Sequence, residues 1–184
     1  MKRSYFLITS ISLALALAWG LSFGDDDEGE HTFLKRKPGV APVTNALYKE
    51  ECGSCHFAYQ PGLLPEQSWN KIMSSLDKHF GDNAELGPDT NQQILSYLTS
   101  NSADKVNDRR SRKIMRSISH SSAPLRITEI PYIKHEHDEI PRRYITGNDK
   151  VASLSHCDAC HQDVQSGSFS ERQINIPGVG RWDD

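Results

Sequence analysis

The sequence predicts a small, mostly α-helical fold with long loops and little or no β-structure. Residues 65–80 carry apolar side chains at the i, i+3, i+4, i+7 spacing that is typical of an amphipathic helix. Two short cysteine motifs have the spacing of about one helical turn. Prolines and glycines interrupt the chain between such segments, as at residues 57–65, and indicate loops there.

The cysteine motifs are the most informative part of the sequence. Each has the form C-x-x-C-H, at residues 52–56 and 157–161, and together they use all four cysteines of the chain. Two thiols one helical turn apart can each add to a vinyl group of one porphyrin, and the histidine that follows can then bind its iron. The spacing therefore predicts two covalently attached haems. The attachment residues are Cys52, Cys55, Cys157 and Cys160, and the proximal ligands are His56 and His161.

Three other uses of paired cysteines agree less well with this sequence. A redox-active dithiol would need a thioredoxin-like strand pattern around it, which neither motif has. A four-cysteine zinc site would leave His56 and His161 without a role. Disulfides within C-x-x-C would close only very small loops and would contribute little stability.

The N-terminal residues predict export. Lys2 and Arg3 precede an apolar run, residues 5–17, and small residues follow as far as Gly24. This order is typical of a secretory signal peptide cleaved near Gly24, and the apolar run is short for a membrane span of about 20 residues. Loss of residues 1–24 removes two basic and no acidic side chains, which takes the formal net charge from −3 to −5. A mildly acidic mature chain gives no reason to expect a nucleic-acid partner.

Composition divides the chain into a leader, two haem-binding units and a linker. After the signal peptide, residues 25–44 are charged and contain Pro and Gly, which predicts a flexible leader. Residues 101–123 are Ser-rich and basic, which predicts a solvated linker helix, although some of its arginines could instead pair with haem propionates or with an acidic partner. The predicted first and second haem-binding units are residues 45–100 and 124–184. Large apolar side chains are few for this length, so covalent haems would supply apolar surface to a thin core.

The first haem needs a distal ligand, and His79 is the best candidate. We expect a helix over residues 65–80 in which His79 follows Leu76 by three positions on the apolar stripe. A histidine near a helix C-terminus could also be a cap. Met73 is another possible axial ligand, but at 3.6 residues per turn it projects about 120 degrees away from His79. We therefore predict His79 as the ligand and Met73 as a core residue.

The distal ligand of the second haem has three candidates: His135, His137 and His156. A helix that starts at Pro131 and ends before residue 141 would place His137 on the same face as Ile133, whereas His135 would lie on a more polar side. His156 directly precedes the second motif, so its side chain should point away from the iron. Helical spacing thus favours His137 and leaves His135 open.

Longer segments around these residues are also informative. They are E-C-G-S-C-H-F-A-Y-Q-P-G-L-L-P-E-Q-S-W at 51–69, H-F-G-D-N-A-E-L at 79–86, P-L-R-I-T-E at 124–129, H-D-E-I at 137–140 and C-D-A-C-H at 157–161. With these segments the chain resembles the small dihaem cytochromes c of bacteria, the DHC type, over about residues 45–180. The resemblance implies a cytochrome c-like helical fold with two haem c groups and bis-histidine ligation at both irons.

Position by position, the resemblance supports His56 with His79 and His161 with His137, and the doubled histidine at residues 135–137 is a departure from the pattern. It also implies electron transfer with other redox proteins, such as an oxygen-binding cytochrome c and a membrane cytochrome b. Export predicts that this takes place in the periplasm, and transient exchange of electrons predicts weak docking.

Two alternatives to a carrier have different requirements. With imidazole at both axial positions, neither iron has room for a substrate, so we expect no enzymatic activity. A dihaem peroxidase or reductase would have one open haem, yet both haems here have a distal candidate. A haem-based sensor would need an output domain, and no segment of the chain supplies one.

Overall fold

Short helices joined by turns form the chain between residues 39 and 182, the part that this computed structural model describes. The helices are α1 (Ala46–Gly53), α2 (Glu66–Met73), α3 (Pro88–Ser100), α4 (Arg109–Ser117), α5 (Pro131–His135) and α6 (Cys157–Cys160). Six 3₁₀ turns lie at Pro61–Leu63, Leu76–Lys78, Ile127–Glu129, Arg142–Tyr144, Val164–Ser166 and Glu171–Gln173. Within these residues, the only sheet is an antiparallel hairpin of β1 (Asn175–Ile176) and β2 (Gly180–Arg181). The predicted mostly helical fold is therefore confirmed.

The first described residues, 39–44, pack against the rest of the described chain. The predicted signal peptide, residues 1–24, and most of the predicted leader lie outside the described residues. At residues 39–44 the structure differs from a flexible leader, because Val40 and Val43 are buried. The backbone N–H of Val40 also donates to the carbonyl of Gly167 at 3.2 Å. No helix within residues 39–182 is long and apolar enough to cross a membrane.

Helices α2, α3 and α4 all contribute to the main core. Trp69 and Ile72 of α2, Ile94 of α3 and Ile114 of α4 belong to one cluster of buried side chains. Each is an apolar position on the buried face of its helix, so it leaves water when the chain folds. Burial of a large aliphatic or aromatic side chain contributes about 1.5–3 kcal/mol. The indole N–H of Trp69 donates to the carbonyl of Pro61 at 2.9 Å, so its polar atom is satisfied.

Helix α2 is shorter than expected. It ends at Met73, and a separate 3₁₀ turn precedes His79. The hydroxyls of Ser74 and Ser75 both donate to the carbonyl of Lys71 at 2.9 Å. Such local side-chain hydrogen bonds compete with the helical ladder and favour its termination. The expectation of one continuous helix over residues 65–80 was wrong, and His79 does not lie on a helix.

Local sequence features explain where the other helices begin. Asn45 caps α1, since its side-chain oxygen accepts from the N–H of Tyr48 at 2.8 Å. Helix α3 begins with Pro88, a favoured first helical residue, and ends at Ser100. Helix α5 ends at His135, well short of the expected end before residue 141. Turns continue the chain from there towards the second motif.

The segment 101–123 is part of the core and differs from the solvated linker that we expected. Ser111 and Ile114 of α4 are fully buried. The hydroxyl of Ser111 donates to the carbonyl of Gly62 at 2.7 Å. A Cβ on Gly62 would lie 2.8 Å from that hydroxyl oxygen, so the absence of a side chain permits the close approach. The boundaries of the two haem-binding units on either side of this segment stay a prediction.

Replacing Ile114 with alanine tests the packing of α4. We expect Ile114→Ala to lower the free energy of unfolding by about 2–5 kcal/mol, because it leaves a cavity in the main core. Denaturant unfolding followed by helical circular dichroism measures this change. Arg116→Ala, an exposed position on the same helix, is the control and should change stability by less than about 0.5 kcal/mol. Equally small effects of both substitutions would contradict the packing.

Candidate haem-binding sites

Two histidines face each other at the first motif. His56 lies just beyond the C-terminal end of α1, and His79 directly follows the 3₁₀ turn after α2. Their ring centroids are 6.0 Å apart and the ring planes differ by 21°. The Nδ1–H of His56 donates to the carbonyl of Phe57 at 2.8 Å. This hydrogen bond leaves Nε2 of His56 with its lone pair available to a metal.

A second pair of histidines has the same separation. His161 directly follows α6, and His137 lies in the turns after α5. Their ring centroids are 6.0 Å apart, with the ring planes at 72°. The Nδ1–H of His137 donates to the carbonyl of Ile133 at 2.8 Å, which again leaves Nε2 available. Nδ1 of His161 is buried and has no hydrogen-bond partner among residues 39–182.

The spacing of both pairs fits a haem iron. Bonds between a metal and an imidazole nitrogen are about 2 Å long, so a metal held between two rings separates their centroids by about 6 Å. Both pairs have this separation. Each pair also lies beside a C-x-x-C sequence, so the residues present can hold a covalently attached haem with an imidazole on each face.

Burial keeps imidazoles at both sites in the neutral form that binds metals. It lowers the pKa of His161 to about 4, with smaller contributions from His137 and Arg110. Burial, followed by the neighbouring His56, also lowers the pKa of His79. A metal needs the lone pair of a neutral imidazole. His79 and His161 are therefore in the ligand form at neutral pH.

The four cysteines have environments suited to attachment. Cys52 lies in the last turn of α1, and Cys157 and Cys160 are the first and last residues of α6. No disulfide joins any of the four. Burial raises the pKa of Cys52 to about 11 and that of Cys157 to about 12. A redox-active dithiol needs a lowered pKa, so these environments disfavour that alternative. Among residues 39–182, no three His, Cys, Asp or Glu side chains are grouped as in a zinc site.

A cleft lies beside the second histidine pair. Its cavity volume of about 250 Å³ approaches that of small-molecule pockets, far above the space of a single water. Leu63 reaches it from the first half of the chain, while Ile133, Ile145 and Phe169 line it from the second half. These apolar side chains suit the face of a porphyrin, while charged residues such as Arg110 and Glu136 form other parts of the wall. Residues from both halves of the sequence thus form one cleft.

The remaining ligand candidates have other contacts. The side chain of His135 is 81% exposed and its Nδ1 lies 3.2 Å from a carboxylate oxygen of Asp138. The Nδ1–H of His156 donates to the carbonyl of Val151 at 2.7 Å. Met73 is buried in the main core. The structure thus brings together, in two pairs, the four histidines that the sequence analysis favoured as ligands.

One contact between the two sites was not expected from the sequence. The ring of Tyr59 lies 5.2 Å from the ring of His56, and its hydroxyl donates to the carbonyl of Ser155 at 2.7 Å. Ser155 lies two residues before Cys157. The neighbouring Gln60 is fully buried and donates its side-chain amide to the carbonyl of Val164 at 2.5 Å. Sequence spacing carries no signal for contacts between residues about 100 positions apart.

Comparison with known protein families and solved structures identifies the class of this protein. The family model described as dihaem cytochrome c matches residues 48–169. The structure of a diheme cytochrome type c from Shewanella baltica OS155 is 42% identical, covers 76% of this chain and 98% of that one, and has a TM-score of 0.63. A diheme cytochrome c from Rhodobacter sphaeroides is 39% identical, covers 71% of this chain and 100% of that one, and also has a TM-score of 0.63. No curated protein matches the chain.

A mostly helical chain with two C-x-x-C-H motifs, each beside a facing histidine pair, is a c-type cytochrome with two haem sites. The family match covers well over half of the residues, and the chain belongs to the dihaem cytochrome c family. The protein therefore has two haem c groups and transfers electrons through them. The positions of Cys52, Cys55, Cys157 and Cys160 are consistent with thioether attachment.

The hydrogen bond between the two sites can be tested by removing one hydroxyl. Tyr59→Phe keeps the ring beside His56 but removes the donor to Ser155, so we expect the free energy of unfolding to fall by about 1 kcal/mol. Equilibrium denaturation measures the change. Tyr144→Phe is the matched control, because the Tyr144 hydroxyl accepts a hydrogen bond from the exposed Arg143, and its loss should cost less than about 0.5 kcal/mol. Equal costs would contradict the bridging role of Tyr59.

Proposed function

We propose that this protein is a periplasmic electron carrier whose two haem irons are each six-coordinate between two histidines. The ligands are His56 and His79 at the first haem, and His161 and His137 at the second. One observation supports this most directly: the histidine after each C-x-x-C sequence has a second imidazole at a ring-centroid distance of 6.0 Å. The pairing has the same spacing at both sites although the surrounding residues differ.

The residues around each pair suit a carrier. Haem iron at such a site accepts and releases one electron. The two histidines of each pair would hold the iron from both sides, which would leave it no position for a substrate. Backbone carbonyls accept from Nδ1 of His56 and of His137, so these rings keep a fixed orientation and tautomer. Cys52, Cys55, Cys157 and Cys160 would hold the two porphyrins beside these histidines through thioether bonds.

The alternative is a dihaem peroxidase or reductase with one open haem. Such an enzyme would lack the facing histidine at one site. Both motifs here have one, and this supports a carrier without enzymatic activity. Adding carbon monoxide to the reduced protein, or cyanide to the oxidised protein, distinguishes the two functions. Rapid binding at either haem of the wild-type protein would favour the enzyme.

The cellular context is part of the same proposal. Residues 1–24 have the order of charged, apolar and small residues of a secretory signal peptide, which supports export to the periplasm. The partners that we propose are other redox proteins, such as an oxygen-binding cytochrome c and a membrane cytochrome b, and no nucleic acid. Carriers exchange electrons in short encounters, so small and weak docking surfaces are expected.

Removing one distal histidine at a time tests the ligation. His79→Ala and His137→Ala should each convert one of the two haems to a high-spin, carbon monoxide-binding form, because one axial position of that iron loses its imidazole. Optical and electron paramagnetic resonance spectra measure the change. His135→Ala is the matched control for His137→Ala and should leave both haems low-spin, since His135 is paired with Asp138 at the surface.

The same samples show whether attachment is intact. Alkaline pyridine spectra should count two covalent haems per chain in the wild type and in all three variants, because the cysteines are unchanged. A fully low-spin His79→Ala protein would contradict the first distal assignment. If His135→Ala opened the second iron and His137→Ala did not, the second assignment would be wrong.

Processing of the N-terminus tests the localisation. The purified periplasmic protein should begin close to Asp25, since cleavage is expected near Gly24. N-terminal sequencing together with the intact mass measures the cleavage position. A membrane-bound protein that retains residues 1–24 would instead support an uncleaved anchor.

A further inference from the structure

A phenylalanine and an arginine are stacked behind the distal histidine of the first site. The ring of Phe80 lies 4.8 Å from the ring of His79, at an interplanar angle of 64°. The guanidinium carbon of Arg126 lies 4.2 Å from the centroid of the Phe80 ring. The three groups therefore form a histidine–phenylalanine–arginine stack, with the positive charge at its outer end.

The second site has the same stack on its proximal histidine. The ring of Phe169 lies 5.3 Å from the ring of His161, again at 64°. The guanidinium carbon of Arg110 lies 5.0 Å from the centroid of the Phe169 ring. These two distances keep the charge within about 10 Å of the His161 ring. The stacks come from different parts of the chain, so their likeness does not follow from a repeated sequence.

The two arginines differ in exposure. The side chain of Arg126 is 49% exposed and its Nε lies 3.9 Å from a carboxylate oxygen of Glu129. The side chain of Arg110 is only 17% exposed. Solvent and salt screen an exposed charge strongly, and a buried charge much less. The field of Arg110 therefore reaches its histidine with less attenuation than that of Arg126.

The neighbours of Arg110 hold it in place and neutralise only part of its charge. Its two terminal nitrogens donate to the hydroxyl of Tyr132 at 3.0 Å and to the carbonyl of Phe169 at 3.2 Å. The carboxylate of Glu136 is 3.7 Å from one of these nitrogens and accepts from the Tyr132 hydroxyl at 2.9 Å. Nε is buried and has no hydrogen-bond partner among residues 39–182. A carboxylate at that distance, itself partly in solvent, offsets the buried charge incompletely.

We propose that Arg110 is a positioning residue that raises the reduction potential of the second haem, through its charge and through the Phe169 ring that it holds against His161. This inference rests on the proposed ligation of the second iron by His161. A fixed positive charge favours the reduced iron, because reduction removes one positive charge from the site. Arg126 occupies the corresponding place at the first haem and has a much smaller effect.

Charge removal gives the test. Arg110→Gln should lower the equilibrium constant for one-electron reduction of the second haem about three- to tenfold, where tenfold corresponds to about 59 mV. Arg126→Gln should change that of the first haem by less than about twofold, because its charge is screened. Arg116→Gln removes the same charge from an exposed position of α4 and should leave the reduction potentials of both haems unchanged.

Two further variants separate charge from packing. Arg110→Lys keeps the positive charge and should restore most of the wild-type potential. Glu136→Gln removes the carboxylate that offsets the charge of Arg110. It should therefore raise the equilibrium constant for reduction of the second haem, by about two- to threefold. Glu136 is at the surface, so this variant tests whether charges in the Arg110 cluster reach the second haem even if Arg110→Gln does not fold.

Spectroelectrochemical titration of the intact dihaem protein measures both potentials, and the high-spin haem of His79→Ala identifies which belongs to the first site. Unchanged potentials in Arg110→Gln, equal shifts of both haems, or no recovery in Arg110→Lys would overturn the proposal. A downward shift in Glu136→Gln would do the same. A low-spin wild-type spectrum with unmoved potentials refutes only the role of Arg110, whereas a high-spin wild-type spectrum refutes the ligation itself.

Discussion

The fixed separation of two facing imidazoles is the constraint on which this structure depends. At each site one histidine follows a helix that carries one or both cysteines of the motif, and the other histidine comes from a turn elsewhere in the chain. Neither turn is long enough to be stable alone, so its position depends on packing. For the first site the supporting structure is the contact of α2 and α3, which holds the 3₁₀ turn before His79. For the second it is α5, whose Ile133 carbonyl orients His137.

The buried apolar side chains fall into two clusters of very different size. The main cluster runs from Val40 to Ile130, and Tyr59 beside the first site and Phe169 beside the second both pack against it. A smaller cluster of Ile145, Val151 and Ile176 lies beside the second motif. So few apolar side chains bury little area, and the apolar surface of a covalently bound porphyrin adds to it. A bound porphyrin would therefore add most, in proportion, to the interior around this smaller cluster.

Contacts between distant residues fix the two sites relative to each other. Tyr59 lies beside His56 and binds Ser155, next to the second motif, while Gln60 binds Val164. Helix α4 adds to these contacts through the buried Ser111 and through Arg110, which packs on Phe169. In the electron carrier that we propose, these contacts would keep the separation of the two haems constant. The same helix supplies the buried charge that we propose adjusts the second haem.

The sequence by itself determined the chemistry of attachment, the helical class and a short set of candidate histidine ligands, because C-x-x-C-H spacing and apolar periodicity are local properties. It could not determine the end of α2 or the burial of Arg110 and Ser111, since these depend on hydrogen bonds and packing partners elsewhere in the chain. His79 was favoured by a helical argument that the structure does not support, and yet it faces His56. The choice between His137 and His135 was made only by the tertiary structure. Helix α5 has five residues and ends at His135, and the turn that follows it places the ring of His137 opposite His161.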